Sequence, residues 1–528
     1  MRSRRLFTTI GGAAAFLLAL STTSLGAPDP GRVAPCPGAG YVAGAPGVGD
    51  AYYPLYGNGG YDAVNYDLAV RYDPGADDPA QGIPPYIEGL ATIDAVATQN
   101  LCSFNLDLVG LQVNQVRVNG KATGFTRTDD HELVIAPVKL RSGRSFQVVV
   151  RYEGEPALFH DATYPEVTYG FMPTDDGALV LGEPEVAAGW YPVNDHPIDR
   201  ATYTFRITVP DGYQVVANGL PVGTTSSGGW TTHVWQPRDP MISYLTTFDI
   251  GEWEINEYVT ADGLPVIDAV DPDSAELVGP VLARQEEILG FLESNFGPYP
   301  FETVGAIFDD NPDLYFALET QTRPIYRDAF LTWGFAEDLI VHELAHMWLG
   351  DLVAIGRWQD IWLNEGFATY AEWLWYEYEG TATPQDMLEA VWAHIPPNDP
   401  FWDVVIGDPG ILNLFHGAVY YRGAMAVQAL RNAVGDEAFW EILETWIDEH
   451  AVGNGTIPEF IALAEEISGK DLDELFQLWL FTPERPPRSA LKPATARRQA
   501  SAAPSAEALD EVERWIEGME ARVAMGAR

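Results

Sequence analysis

His342-Glu343-Leu344-Ala345-His346, followed after 18 residues by Glu365 within Trp362-Leu363-Asn364-Glu365-Gly366-Phe367-Ala368, lies in two stretches of helical patterning. At 3.6 residues per turn, positions 342 and 346 project from one face a turn apart, so both imidazoles can reach one metal ion. Glu343 lies one residue round from His342, beside such a metal rather than on it, where it can take a proton from a bound water. A catalytic zinc takes three protein ligands and keeps one position open. Glu365 is the candidate third ligand, since it opens a second helix able to pack on the first. An acid in a first turn is favoured by the helix dipole alone, so the pairing with the two histidines is what singles Glu365 out.

Working outward, helical spacing continues over roughly 335–350, 364–379, 385–394, 419–434, 436–449 and 457–467, with Trp440, Leu443 and Trp446 at core positions. Upstream, 274–296 also has helical spacing, and Thr303–Phe308 reads as a short buried strand. Between about Tyr52 and Ile250 the texture is different. Runs such as Tyr66–Tyr72, Phe146–Tyr152 and Thr202–Val209 alternate apolar and polar residues between Gly, Pro and Asp turns, the signature of antiparallel strands with one wet face. The expectation is a multidomain chain: an extension over 28–50, an antiparallel β domain over 51–252, and a mainly helical α+β catalytic domain over 253–482. Residues 483–528 read as a Pro/Ala/Arg/Ser linker with a possible amphipathic helix over 508–525.

The chain has 528 residues, too many for one ordinary domain. Its 30 Lys+Arg stand against 76 Asp+Glu, a formal charge of −46. So acidic a surface repels phosphate backbones, which excludes nucleic-acid binding and makes anionic membranes poor partners. Met1–Ala27 has a basic start (Arg2, Arg4, Arg5), an Ala/Leu/Phe-rich middle and small residues at its end, the layout of an export signal. Ser3-Arg4-Arg5-Leu6-Phe7 resembles a twin-arginine motif, with an ordinary secretory signal as the alternative. No other stretch reaches the ~18 apolar residues of a membrane span, so the mature protein is expected outside the cytoplasm. There the two cysteines, Cys36 and Cys102, are expected to form a disulfide, two free thiols being the alternative.

The His-Glu-x-x-His motif, the 18-residue gap and the Asn-Glu-Gly-Phe-Ala context resemble the M1 (gluzincin) metallopeptidases, whose commonest members are zinc aminopeptidases. The resemblance covers roughly residues 50–480, including Phe296-Gly297-Pro298-Tyr299-Pro300-Phe301, Trp190–Phe205, Trp348, Gly350 and Asp351. It implies a saddle-like β domain and a thermolysin-like catalytic domain, with the C-terminal helical-repeat domain of many members absent or vestigial. It also implies one Zn²⁺ on His342, His346 and Glu365, Glu343 as general base, and peptide or protein N-termini as substrates. The family's Gly-x-Met-Glu-Asn segment, whose Glu binds the substrate α-amine, matches Phe316-Ala317-Leu318-Glu319-Thr320, with Phe for Gly and Thr for Asn. A lone carboxylate in such an apolar run needs a partner, and Arg323 competes with a substrate ammonium for that place. The family's Tyr-x-Lys-Gly matches Tyr420-Tyr421-Arg422-Gly423, which implies that Tyr420 donates to the oxyanion, with Tyr421 the neighbouring alternative. Counting back from Asn194-Asp195-His196-Pro197 suggests Glu183, or else Glu185, as a second amine contact from the β domain. Glu372, on the face of Glu365, could orient a ligand histidine or be solvated or structural.

The leading expectation is therefore a secreted zinc aminopeptidase. A zinc endopeptidase, or a peptidase of narrow selectivity, follows if Phe316 and Thr320 reshape the amine site. A non-catalytic secreted binding protein on the same scaffold is the third reading.

Overall fold

Alternation along Tyr61–Asp73 buries Tyr66, Leu68, Val70 and Tyr72 while their neighbours face outward. A bulge at Val64 shifts the phase from Tyr61 and Ala63 to this later set, so one face stays on the core throughout. The computed structural model in which this is seen describes residues 36, 40–75, 84–128, 130–161, 163, 167–333 and 336–492, with 506, 508–510, 512 and 514. The export segment and most of the 508–525 helix lie outside the described residues.

The Tyr61–Asp73 strand sits mid-way in a nine-stranded sheet, between Arg200–Pro210 and Tyr86–Ala97. The sheet departs from the antiparallel expectation at one place: Thr202–Thr208 runs parallel to Asn65–Arg71, because the chain leaves this sheet and returns after building others. A five-stranded sheet contains Ala178–Leu181 and Phe248–Gly251, and the segment leaving Leu181 carries Glu183. The N-terminal extension joins this domain. Val42–Ala43 pairs in parallel with the Leu101–Asp107 strand, and a disulfide links Cys36 to Cys102.

The next sheet begins at Glu254. Its four strands, Glu254–Val259, Pro265–Val270, Val304–Asp309 and Ile325–Arg327, run in that spatial order. Leu318 exchanges backbone hydrogen bonds with Ile325 of the edge strand (3.0 and 2.9 Å), which places Glu319 beside the sheet. The helices are α1 (Ala275–Leu282), α2 (Gln285–Phe296), α3 (Ala336–Ala345), α4 (Trp362–Glu379), α5 (Pro384–His394), α6 (Gly417–Val434), α7 (Asp436–His450), α8 (Ile457–Ser468) and α9 (Asp473–Leu480). The single helix expected over 274–296 is two, α1 and α2, parted at Ala283–Arg284 and with Pro280 inside the first. Helix α9 lies within the catalytic domain but was not among the helical runs read from spacing.

Helix α4 is the axis of this domain. Every residue from Trp362 to Tyr376 is buried, and α3, α5 and α6 pack around it. Residues 483–492, expected to open a linker, instead lie on α5: Trp392 Nε1 donates to the Pro486 carbonyl (2.8 Å), and the Arg485 guanidinium stacks on the Trp392 ring. Farther on, Ala508 and Val512 are buried. Among the described residues no helix is long and apolar enough to cross a membrane.

Candidate active site

Helix α3 starts with Glu337 and Asp338 in its first turn, where the helix dipole favours acids, and delivers the two histidines at its end. Helix α4 delivers Glu365 from its own first turn. The Glu365 Oε2 atom lies 3.2 Å from His342 Nε2 and 3.6 Å from His346 Nε2. All three side chains are buried, and one ligand atom from each lies within 4.8 Å of the other two.

The far side of each ring fixes which nitrogen faces the cluster. His346 Nδ1 lies 3.1 Å from the Leu349 carbonyl, which can only accept, so Nδ1 carries the proton and a neutral ring keeps its lone pair on Nε2. His342 Nδ1 lies 2.6 Å from Glu372 Oε1, and a carboxylate holds the proton there in the same way. Two imidazole lone pairs and a carboxylate, oriented from behind and shielded from water, are the donor set that suits zinc. The residues present fit the metal. Burial pushes both imidazoles down, but Glu365 and the other carboxylates outweigh it and raise them. Burial alone would push Glu365 up, yet the two histidines hold it below the usual carboxylate range.

Helix α6 brings Tyr420 over this cluster, its ring nearly parallel to that of His342 with centroids 5.9 Å apart. Tyr421 is buried in the neighbourhood of Tyr376 instead. What permits the approach is a glycine pair. A Cβ on Gly366 would come within 3.0 Å of the Gly423 Cα, and one on Gly423 within 2.8 Å of the Gly366 Cα. Helices α4 and α6 therefore meet backbone to backbone, one residue past Glu365 and three past Tyr420. Arg422 anchors α6 from the other side. Its guanidinium donates to the carbonyls of Trp479, Trp402, Val404, Leu478 and Thr482, satisfying the C-terminal end of α9 that would otherwise be orphaned.

The remaining carboxylates complete a strongly acidic pocket. Glu343 and Glu319 each bring an oxygen within 4.8 Å of a His346 nitrogen and of one another. Arg323 does not pair with Glu319; it is spent on the carbonyls of Ile267, Ala217 and Gly219. Glu183 enters from the β domain with its Oε1 buried and unpartnered. Burial pushes its carboxyl far up, and Glu319, Glu365, Glu343 and Asp351 add to the push. Glu185 instead faces Tyr169 and Asp195. One further residue escaped sequence reasoning: Tyr244 Oη donates to Glu319 Oε1 at 2.9 Å. No motif surrounds Tyr244, and nothing in its spacing relates it to Glu319, 75 positions away.

A β domain that lends a carboxylate, Glu183, to a helical domain with a His-His-Glu cluster is the arrangement of a two-domain zinc metallopeptidase. The match to known families agrees: residues 332–479 fit the peptidase family M1 domain, and residues 63–245 the peptidase M1 N-terminal domain. The chain belongs to peptidase family M1. It is 27% identical over 409 residues to an aminopeptidase N of Streptomyces lividans, covering 71% of this chain and 46% of that one. It is 26% identical over 319 residues to the human glutamyl aminopeptidase, covering 56% of this chain and 33% of the other. The chain thus spans less than half the length of these relatives. Among solved structures it resembles the M1 zinc metallopeptidase of Deinococcus radiodurans, with 28% identity and a TM-score of 0.73 over 84% of this chain and 99% of that one. A mutant of that metallopeptidase has been solved with a Tyr-Ser-Ala substrate, at 27% identity, a TM-score of 0.72, and coverage of 87% of this chain and 99% of that one.

Proposed function

We propose that this chain is a zinc-dependent aminopeptidase that removes N-terminal residues from peptides, with one zinc per chain on His342, His346 and Glu365. The observation that carries this reading is the charge of the pocket. Glu183, Glu319 and Glu343 crowd the three metal-ligand side chains with no lysine or arginine paired to them among the described residues. Such a pocket calls for cations, and a metal ion together with a substrate ammonium supplies them.

Zinc held there supplies Lewis acidity toward the scissile carbonyl and a nucleophilic water. Glu343 takes the water proton and passes it to the leaving amine. Tyr420 donates to the developing oxyanion. Glu319 and Glu183 grip the α-ammonium, so only a chain end fits and cleavage falls after the first residue.

The chain acts outside the cytoplasm in this reading. The Cys36–Cys102 bond supports that placement, since such bonds persist in oxidising compartments. The experiment is hydrolysis of an aminoacyl-anilide panel by the mature protein with chelator, with added zinc, and beside Glu343→Gln. Release that stops with chelator, returns with zinc and is absent in the variant is the expected result. Silence across the panel from zinc-loaded protein, with internal cleavage of N-terminally blocked peptides, would replace the aminopeptidase with an endopeptidase.

A further inference from the structure

Glu319 belongs to the catalytic domain, but the group that holds it does not. Tyr244 lies in the one-turn helix Ser243–Leu245 at the end of the β domain, and its hydroxyl donates to Glu319 Oε1. The phenol is buried, and its ring leans on Trp358 at 5.7 Å between centroids. The turn that carries it is pinned in its own right: Ser243 Oγ donates to Asp195 Oδ1 (2.7 Å), while Asp195 Oδ2 accepts the Ala188 N–H (3.0 Å). Ala188 lies five residues beyond Glu183. One buried carboxylate thus ties together the two β-domain segments that reach the amine site, the one with Glu183 and the one with Tyr244.

We infer that Tyr244 is a positioning residue for substrate recognition: its hydroxyl fixes the rotamer of Glu319, leaving the second carboxylate oxygen to meet the substrate ammonium. A carboxylate beside other carboxylates is repelled from them and, without a fixed donor, swings out of line. Burial, then the nearby carboxylates of Glu319, Glu183 and Asp351, raise the phenol's pKa well above its ordinary value, so it remains a donor at every working pH. No other hydroxyl or N–H is recorded donating to Glu319 among the described residues, so the orientation of the anchor depends on this contact. The inference rests on the aminopeptidase reading and deepens it, since it makes the β domain a setter of affinity for the free N-terminus.

The test uses zinc-loaded Glu343→Gln protein, in which chemistry is switched off, with and without Tyr244→Phe. The phenylalanine ring keeps the packing on Trp358, and the melting temperature and zinc content report whether the fold is intact. Calorimetry measures binding of one tripeptide with a free N-terminus and of its N-acetylated form. The expected result is about tenfold weaker binding of the free form in the double variant, as for a lost hydrogen bond to a charged group, with the acetylated form unaffected. In the active background the same substitution raises KM for aminoacyl-anilides about tenfold and leaves kcat within about threefold. Equal affinity of the two proteins for the free peptide, or equal weakening of both peptides, overturns the role of Tyr244. If the Glu343→Gln protein binds free and acetylated peptide alike, the amine anchor itself is refuted, and the aminopeptidase reading falls with it.

Discussion

Replacing Gly423 by alanine adds a single methyl at the point where α6 meets α4, and the geometry sets what that methyl does. It arrives 2.8 Å from the Gly366 Cα, whereas carbon atoms rest at about 3.5–4.0 Å. The helices must part by roughly 1 Å, because the obstructing atom is backbone and cannot rotate away. Overpacking of this kind costs about 1–3 kcal/mol, and alanine returns about 1 kcal/mol of helix propensity, so the net loss is about 0–2 kcal/mol. The effect on rate is larger. Glu365 sits one residue before Gly366 and Tyr420 three before Gly423, so parting the helices moves a metal ligand away from the oxyanion donor. Misplacement by about 1 Å costs on the order of 100-fold in rate. The assay is anilide hydrolysis with zinc content and urea unfolding measured on the same preparation. Gly290→Ala in α2, where the added Cβ meets nothing within 4 Å, is the control: stabilised by up to about 1 kcal/mol and fully active. If Gly423→Ala behaves like that control, the backbone contact does not set the site, and the reasoning fails.

Glu372→Gln weakens the orientation of His342 and is expected to lower zinc affinity about 10- to 100-fold, read by competition with a chromophoric chelator; unchanged affinity would mean that Glu372 is merely structural. Arg422→Met orphans the carbonyls of Trp479, Trp402, Val404 and Leu478, Thr482 keeping the Glu484 N–H, and should lower stability by about 3 kcal/mol or more in urea unfolding, whether or not zinc is bound. Glu132 is buried, and burial, then the Asp107 carboxylate, pushes it up to about 8. The native state therefore keeps a proton that the unfolded chain sheds near pH ~4.3. The contribution of this group to stability is full below that pH and is lost as pH rises toward 8. Glu132→Gln is expected to flatten the fall in urea midpoint between pH 5 and 8, and a variant with the wild-type slope would refute the assignment.

Much of this was legible in one dimension because the relevant physics is local. Two histidines four apart share a helix face wherever the helix sits, alternation of Val, Thr and Tyr with polar residues demands a half-wet sheet, and an excess of acid over base rules out phosphate partners. The cluster of His342, His346 and Glu365 follows from such rules once α3 and α4 pack. Other features depend on contacts between segments that no spacing relates. Whether Glu319 meets Arg323 or a substrate amine was open in the sequence. The structure takes Arg323 out of that choice, because the sheet draws it onto backbone carbonyls of Ile267, Ala217 and Gly219. Glu183 was separated from Glu185 only by the path of the chain leaving Ala178–Leu181, which turns one carboxylate toward the metal-ligand cluster and the other toward Tyr169. Gly366 and Gly423 stood in their motifs as ordinary helical residues until the crossing of α4 and α6 showed that neither has room for a Cβ. Tyr244 carried no signal at all. Periodicity records which face of its own element a residue occupies, and it is silent on which distant element will cover that face, because that is settled by the packing of the whole chain.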